Sequence, residues 1–280
     1  MRKIKDILIS NGFKFNHRLG QNFITDTNLL NKIVELSGVS ADDTVVEIGT
    51  GAGTLTRALA ETARKVYSFE VDENLRPVLD ETLDGLDNAE VVFKDVLKMS
   101  DDELKAITGG NFKVVANIPY YITTPLIMRF LERGLRPSSI TVTVQKEVAE
   151  RLVAKENTAE YGAITAVVRL YGGAYIAGRV DKNMFYPAPK VDSCVVRIDL
   201  SDKYGHEDKE LICRIIKSAF AMRRKTFANN LISSFGFTKA EAENLLTENG
   251  FDIKIRGEAL SPDDFIKLSR SKIFLPFKKG

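Results

Sequence analysis

The chain has 280 residues, of which 44% are hydrophobic and 28% are charged, which excludes a disordered or fibrous protein. Its 40 basic and 38 acidic side chains leave a net charge of only +2, so the overall charge favours no class of partner. Two cysteines and two histidines are too few for a disulfide framework or a metal centre, and no apolar run reaches the roughly 20 residues of a membrane span. With no segment resembling a signal peptide, these features predict a cytoplasmic protein without metal or membrane partners.

Five β-branched runs alternate with helix-like stretches through the first two-thirds of the chain. They are residues 44–49, 65–71, 89–95, 113–119 and 139–147. The spacers are long enough for crossover helices, so we expect an α/β fold whose buried strands form a mostly parallel sheet covered on both faces. Two later runs, residues 173–180 and 194–200, would complete seven strands with an antiparallel edge.

The texture of the sequence changes after residue 200. A polar junction is followed by helical patterns, among them a possible capping box from Thr238 to Glu241 and an N-cap at Ser261 followed by Pro262. We therefore predict one domain over residues 1–200 and a small all-helical domain over residues 201–280. The second is the more basic, with a net charge of +4 against −2 for the first.

A glycine-rich segment, residues 47–53 (EIGTGAG), follows the first predicted strand and precedes a helix. Glycines at such a turn let the backbone approach a nucleotide closely, although a tight turn without a ligand would give the same pattern. The spacing differs from G-x-G-x-x-G, which disfavours a loop that binds pyrophosphate. A ligand without phosphates fits better.

Polar side chains end the next three strands. Glu70 lies where a carboxylate can accept hydrogen bonds from a ribose, and Asp95 lies where a carboxylate can reach an adenine amino group. Residues 117–120 (NIPY) end the fourth strand, because a proline cannot continue a central strand. The Asn117 amide oxygen and the Ile118 carbonyl offer two acceptors to an exocyclic amine, and Tyr120 offers a ring on which a base can stack.

These motifs carry a resemblance. NIPY, EIGTGAG and residues 19–23 (LGQNF) resemble the S-adenosyl-L-methionine-dependent adenine-N6 methyltransferases that act on ribosomal RNA. Residues 185–198 (FYPAPKVDSCVVRI) and 219–231 (AFAMRRKTFANNL) resemble the KsgA-type dimethyltransferases of small-subunit RNA. Ile24 stands where the family commonly has leucine. The resemblance implies a Rossmann-like class I methyltransferase domain, with an N-terminal arm over residues 1–25, followed by an RNA-contacting helical domain.

The resemblance also implies roles for individual residues. The cofactor, S-adenosyl-L-methionine, would be bound by a set drawn from the arm and the strand ends: Asn22, Ile24, Gly49, Gly51, Glu70, Asp95 and Asn117. Asn117, Ile118 and Tyr120 would carry catalysis. Tyr120 and Phe185 would stack on the target base, although Phe185 taken alone is more typical of a core position.

A basic cluster, Arg223, Arg224 and Lys225, is the expected RNA-binding site, with a solvated helix face as the alternative. In the arm, His17 and Arg18 would contact RNA, or the neighbouring Phe13 and Phe15 would anchor that segment in the core.

The implied function is dimethylation of two adjacent adenines in 16S ribosomal RNA within the assembling small subunit, by a monomeric enzyme. Three alternatives stay open: an RNA-binding assembly factor with secondary methylation, a methyltransferase of large-subunit RNA, and a small-molecule methyltransferase. The basic cluster disfavours the last, because a small substrate does not need it. A nicotinamide dehydrogenase would explain neither NIPY nor Asp95.

Overall fold

The chain divides into two compact units. The structure is a computed structural model that describes residues 4–16 and 19–278, apart from the side chain of Tyr120. The first unit comprises the described parts of Met1–Ala149 together with Ala174–Leu200, and the second comprises Glu150–Gly173 together with the described parts of Ser201–Gly280. The predicted boundary at residue 200 coincides with one of the points at which the chain passes from the first unit to the second. The segment Glu150–Gly173, which the sequence assigned to the first domain, belongs to the second unit.

The described residues form nine strands. Their bounds are β1 Phe23–Ile24, β2 Thr44–Ile48, β3 Lys65–Glu70, β4 Ala89–Phe93, β5 Lys113–Asn117, β6 Ser139–Gln145, β7 Gly172–Val180, β8 Phe185–Tyr186 and β9 Ser193–Leu200. Seven of them form one sheet in the order β4-β3-β2-β5-β6-β9-β7. Strands β2 to β6 pair in parallel, and β9 runs antiparallel to β6. Strands β1 and β8 form a separate antiparallel pair.

The described residues also form twelve α-helices. Their bounds are α1 Ile4–Ser10, α2 Thr27–Ser37, α3 Thr54–Ala60, α4 Arg76–Thr82, α5 Asp101–Thr108, α6 Thr123–Glu132, α7 Lys146–Leu152, α8 Ala163–Tyr171, α9 Lys209–Ala219, α10 Phe227–Phe235, α11 Lys239–Glu248 and α12 Pro262–Ser269. None of these helices has the length and apolar character that a membrane crossing requires.

The first unit has the predicted α/β architecture with a mostly parallel seven-stranded sheet. Every predicted run contains a strand, β9 is antiparallel as expected, and β7 lies at the edge of the sheet next to β9. The strand β4 differs from the prediction of a buried strand, because it lies at the opposite edge and its residues are only partly covered. Apolar side chains of α2 and α3 pack with β2, β3, β5 and β9 in one core cluster.

The described part of the second unit is helical apart from loops and the first two residues of β7. Two of its helices, α11 and α12, begin where the sequence predicts, since Thr238 and Ser261 both form capping boxes. Helix α8 packs against α9 and α12, which explains why Glu150–Gly173 belongs here. Apolar periodicity identifies α8 as a packed helix but does not say which core it joins.

Candidate active site

The glycine loop lies between β2 and α3. Gly49 and Gly51 have φ values of 80° and 55°, in the left-handed region that side-chain-bearing residues rarely adopt. A Cβ atom on Gly51 would also lie 2.9 Å from the ring of Phe23. Both glycines are therefore required by backbone geometry, and Gly51 additionally by the close approach of the arm.

A buried polar network supports this loop. Glu47 on β2 is fully buried, and its Oε2 accepts hydrogen bonds from Thr56 Oγ1 and from Ser68 Oγ at 2.5 and 2.6 Å. The Ser68 hydroxyl also lies 2.6 Å from the hydroxyl of Thr50 in the loop. Burial raises the pKa of Glu47 to about 8, against the opposing effect of the two hydroxyl donors. A protonated carboxyl at neutral pH thus ties the loop to β3 and α3.

Glu70 ends β3 and faces the same loop. One oxygen of its carboxylate accepts from the backbone N–H of Gly51 at 2.9 Å, and the other accepts from the N–H groups of Val71 and Asp72. Burial is the main cause that raises the pKa of Glu70, and these donors oppose it. The carboxylate is therefore held rigidly, and each oxygen retains acceptor capacity only in its remaining lone-pair directions.

Asp95 follows β4 and is half-buried. Its Oδ1 accepts from the backbone N–H of Leu97 at 3.0 Å, and its Oδ2 lies 3.4 Å from the Lys98 ammonium group. Because Lys98 is largely exposed, this ion pair holds the carboxylate only weakly.

Asn117 is the last residue of β5, and its side chain is oriented by the arm. Its Nδ2 donates to the backbone carbonyl of Asn22 at 3.0 Å. Because a carbonyl only accepts, the amide orientation is fixed, and Oδ1 is the atom left to accept from a ligand. Ile118 lies just beyond the strand, so its carbonyl is outside the sheet ladder.

The arm closes one side of this region. Strand β1 pairs with β8, Ile24 O accepts from Thr54 Oγ1 at 3.0 Å, and Gly20 packs against Pro119. Phe13 and Phe15 pack with Phe23, in agreement with the aromatic-anchoring alternative. His17 and Arg18 lie outside the described residues.

These elements enclose one pocket in the first unit. It is lined by every residue that the sequence assigns to the cofactor: Asn22, Ile24, Gly49, Gly51, Glu70, Asp95 and Asn117. Among the described residues that line it, Lys94 is the one that carries a basic side chain. These lining groups suit S-adenosyl-L-methionine. Carboxylates can accept hydrogen bonds from a nucleoside and glycines allow it to approach the backbone, whereas a pyrophosphate would need more positive charge.

The aromatic residues divide into three cases. The backbone of Tyr120 begins a short 3₁₀ turn, but its side chain lies outside the described part, so its stacking role stays a prediction. Phe185 lines the pocket and is also 5% exposed within the core cluster of the first unit, so little of its ring is free to stack. Tyr121, which the sequence reasoning missed, lines the pocket with 60% of its surface exposed.

The predicted RNA-binding cluster lies in the second unit, on the turn between α9 and α10. Arg223, Arg224 and Lys225 are all exposed, but they are not equivalent. The guanidinium of Arg223 donates to the carbonyls of Ala159 and Tyr161 at 2.8 and 3.3 Å. Arg223 therefore braces the turn, whereas Arg224 and Lys225 present their charges to solvent.

A buried amide supports the same turn. Asn230 is fully buried, and its Nδ2 donates to the carbonyl of Ala219 at 2.9 Å. Gly257 also approaches this carbonyl so closely that a Cβ atom there would lie 2.4 Å from it. The double asparagine in residues 219–231 thus has one exposed member, Asn229, and one structural member.

Within the described ranges, no group of three or more His, Cys, Asp or Glu side chains could hold a metal ion. Sequence reasoning also passed over Gln21, although it stands within the LGQNF motif. Its amide joins the arm to Asp72 at 2.7 Å. Spacing gives no signal for such a long-range hydrogen bond.

Comparison with known proteins bears on the family of this chain. The family model described as ribosomal RNA adenine dimethylase matches residues 12–272. Proteins named ribosomal RNA small subunit methyltransferase A are similar along nearly the whole chain. The one from Clostridioides difficile is 42% identical over 95% of this chain and 93% of its own length. The one from Clostridium botulinum strain Okra is 44% identical over 95% and 96%.

Solved structures show the same relationship. A dimethyladenosine transferase from Plasmodium falciparum superposes with a TM-score of 0.71 at 25% identity, over 87% of this chain and 94% of its own. The 23S rRNA methyltransferase ErmE superposes with a TM-score of 0.65 at 27% identity, over 88% and 98%. The sequence match, the fold and the enclosed pocket lead to one conclusion: the chain belongs to the ribosomal RNA adenine dimethylase family.

Proposed function

We propose that this protein transfers methyl groups from S-adenosyl-L-methionine to N6 of two adjacent adenines in 16S ribosomal RNA, and that it acts in the cytoplasm on the assembling small subunit. The observation that carries the proposal is the orientation of Asn117. Its amide nitrogen is anchored on the arm at 3.0 Å, so its oxygen remains as an acceptor in a pocket that also holds the glycine loop and Glu70.

The protein's part in the reaction is to orient the target amine. When bound, S-adenosyl-L-methionine supplies a methyl group on a positively charged sulfur, which is already electrophilic. The nitrogen of an exocyclic amine is a weak nucleophile because its lone pair is delocalised into the ring. Asn117 Oδ1 and the Ile118 carbonyl would accept its two N–H groups, favour a tetrahedral nitrogen and free that lone pair. One positioned hydrogen bond of this kind contributes about 2.7–4 kcal/mol to a transition state.

The residues around the pocket divide the binding work. Glu70 would accept from the ribose hydroxyls, Asp95 from the cofactor adenine, and Gly49 and Gly51 would allow close approach. Asn22 and Ile24 would close the arm over the cofactor. A neutral amide is no base near pH 7, so Asn117 would not remove a proton from the amine. Its role would be to orient the amine while N6 attacks the methyl group directly and S-adenosylhomocysteine leaves.

The target base must leave its stack to enter the pocket, at a cost of a few kcal/mol. Stacking on an aromatic ring offsets this by about 1–3 kcal/mol per base. We propose Tyr120 for this role, with Tyr121 as a second ring because it is exposed and lines the pocket. Phe185 would contribute an edge contact at most, because its ring is covered by the core.

The test is methyl transfer from radiolabelled cofactor to three substrates offered separately: small subunits that lack adenine dimethylation, large subunits, and free adenosine. We expect label on the small subunit alone. Label on the large subunit alone would assign the protein to the other branch of adenine methyltransferases. Binding to small subunits without label, at saturating cofactor, would favour an assembly factor.

A further inference from the structure

Residues 19–24 of the arm form one wall of the pocket with very little regular structure. Only Phe23 and Ile24 lie in a strand. Ordering such a segment costs conformational entropy, so its side-chain attachments determine how well the wall is held. Two attachments end on arm carbonyls, from Thr54 to Ile24 and from Asn117 to Asn22, each at 3.0 Å.

A third attachment uses a side chain of the arm itself. Gln21 Nε2 donates to Asp72 Oδ2 at 2.7 Å, and Gln21 Oε1 accepts from the backbone N–H of Asn16 at 2.8 Å. A carboxylate can only accept and a backbone N–H can only donate, so both ends of the amide are committed to one orientation. The Gln21 side chain therefore fixes the arm internally and ties it to the end of the sheet.

Asp72 transmits this attachment toward the glycine loop. It is 6% exposed, and its Oδ1 accepts from the backbone N–H and the side-chain amide of Asn74 at 3.1 and 2.8 Å. Its own backbone N–H donates to Glu70 Oε1 at 2.9 Å, while Glu70 Oε2 accepts from Gly51 N–H at 2.9 Å. A continuous path of hydrogen bonds thus runs from the arm to the loop.

We propose that Gln21 and Asp72 form a latch that positions the arm over the cofactor and aligns Glu70 beneath it. Both are positioning residues that act through the arm and through Glu70. The inference rests on the proposed placement of the cofactor in this pocket. It assigns to Gln21 of the LGQNF motif a positioning function. This function depends on which partner of one hydrogen bond donates, since Gln21 donates and Asp72 accepts.

That polarity allows a sharp test. Gln21→Glu places two carboxylates against each other. In Asp72→Asn, the Asn74 donors require the oxygen on their side, so the new amide nitrogen faces Gln21 Nε2 and two donors meet. Turning the Gln21 amide over does not help, because its nitrogen would then face the Asn16 N–H. The double variant Gln21→Glu with Asp72→Asn restores a donor–acceptor pair of reversed polarity at unchanged net charge.

The measurement is the Kd for S-adenosylhomocysteine by titration calorimetry on the full chain. A hydrogen bond to a charged group is worth about tenfold or more in affinity, so each single variant should raise Kd by about tenfold. The double variant should return to within about threefold of the original. In cofactor-free protein, amide hydrogen exchange of residues 19–24 should accelerate in the single variants and slow again in the double variant.

Glu81→Gln is the matched control. It alters another hydrogen bond between a side-chain amide near the N-terminus and a carboxylate, from Asn11 Nδ2 to Glu81 Oε2 at 3.1 Å. This bond is exposed and lies outside the pocket. Its Kd should not change. The latch would be overturned if the single variants had the Kd of the original protein. It would also be overturned if the Kd of the double variant rose by the product of the two single effects. If the unmodified protein failed to bind S-adenosylhomocysteine, the proposed function would fail, and arm exchange would still test the latch.

Discussion

The pocket of the first unit and the basic turn of the second hold their polar groups in opposite ways. In the pocket, Glu70 and Asn117 each have hydrogen bonds to backbone groups that fix their orientation. On the turn, Arg224 and Lys225 are exposed, and only Arg223 is tied down. An uncharged amine is recognised by the direction of its acceptors, which requires rigid side chains. A phosphate backbone is recognised by charge, which exposed side chains supply without a fixed geometry.

The largest expected effect is at Asn117. Asn117→Ala should lower kcat by about 10²–10³-fold, because an oriented transition-state acceptor is removed. The Kd for S-adenosylhomocysteine should rise by less than about tenfold, since one hydrogen bond to the arm is removed. Single-turnover kinetics and calorimetry separate the two quantities. Equal effects on both would mean that Asn117 serves binding and not the reaction.

Glu70 should show the converse pattern. Its two oxygens accept from three backbone N–H groups, and a glutamine offers only one oxygen, so Glu70→Gln sets an amide N–H against a backbone donor. We expect Kd for S-adenosylhomocysteine to rise by about 10–100-fold, with kcat at saturating cofactor nearly unchanged. Glu73→Gln, at a side chain that is 73% exposed, is the control. A normal Kd for Glu70→Gln would remove Glu70 from the cofactor site.

The basic turn should give smaller effects that depend on salt. Replacing Arg224 and Lys225 together with alanine should weaken RNA binding and reduce the slope of log K against log salt by roughly 0.7–0.9 for each phosphate that is no longer neutralised. Arg223→Ala should change the slope less and lower the stability of the protein by about 1 kcal/mol, because two backbone carbonyls lose a donor. Lys239→Ala, on α11, controls for the removal of charge alone. If the slope of log K against log salt were the same in every variant as in the original protein, the RNA would bind elsewhere.

The last expected effect is on stability instead of turnover or binding, and it concerns the network below the loop. Glu47 keeps its proton to about pH 8 in the folded protein, because burial raises its pKa from the 4.5 of an ordinary glutamate. Between these values the folded state binds more protons than the unfolded state, so the free energy of unfolding falls as pH rises. Thermal melts from about pH 5 to 8 should therefore show a steeper decline in stability for the original protein than for Glu47→Gln. Parallel curves would mean that Glu47 is ionised throughout.

Much of the first unit was predictable, because its strands are short β-branched runs and its ligand groups stand at their ends. Glu70, Asp95 and Asn117 line one pocket with the glycine loop, since parallel strands end at one edge of a sheet. Asn22 and Ile24 line the same pocket from the arm, which only the family resemblance predicted. What the sequence did not supply were partners distant along the chain. The bond from Gln21 to Asp72 spans 51 residues, and that from Arg223 to Tyr161 spans 62. The placement of α8 in the second unit has the same cause, because periodicity shows a buried face without its neighbour.

We propose that the anchored Asn117 prepares the adenine amine for two successive methylations. The most direct measurement is mass spectrometry of nucleosides from unmethylated small subunits treated with the original protein or with Asn117→Ala, both at saturating S-adenosyl-L-methionine. We expect N6,N6-dimethyladenosine from the original protein and almost no methylated adenosine from the variant. Dimethyladenosine formed by the variant at the original rate would contradict it.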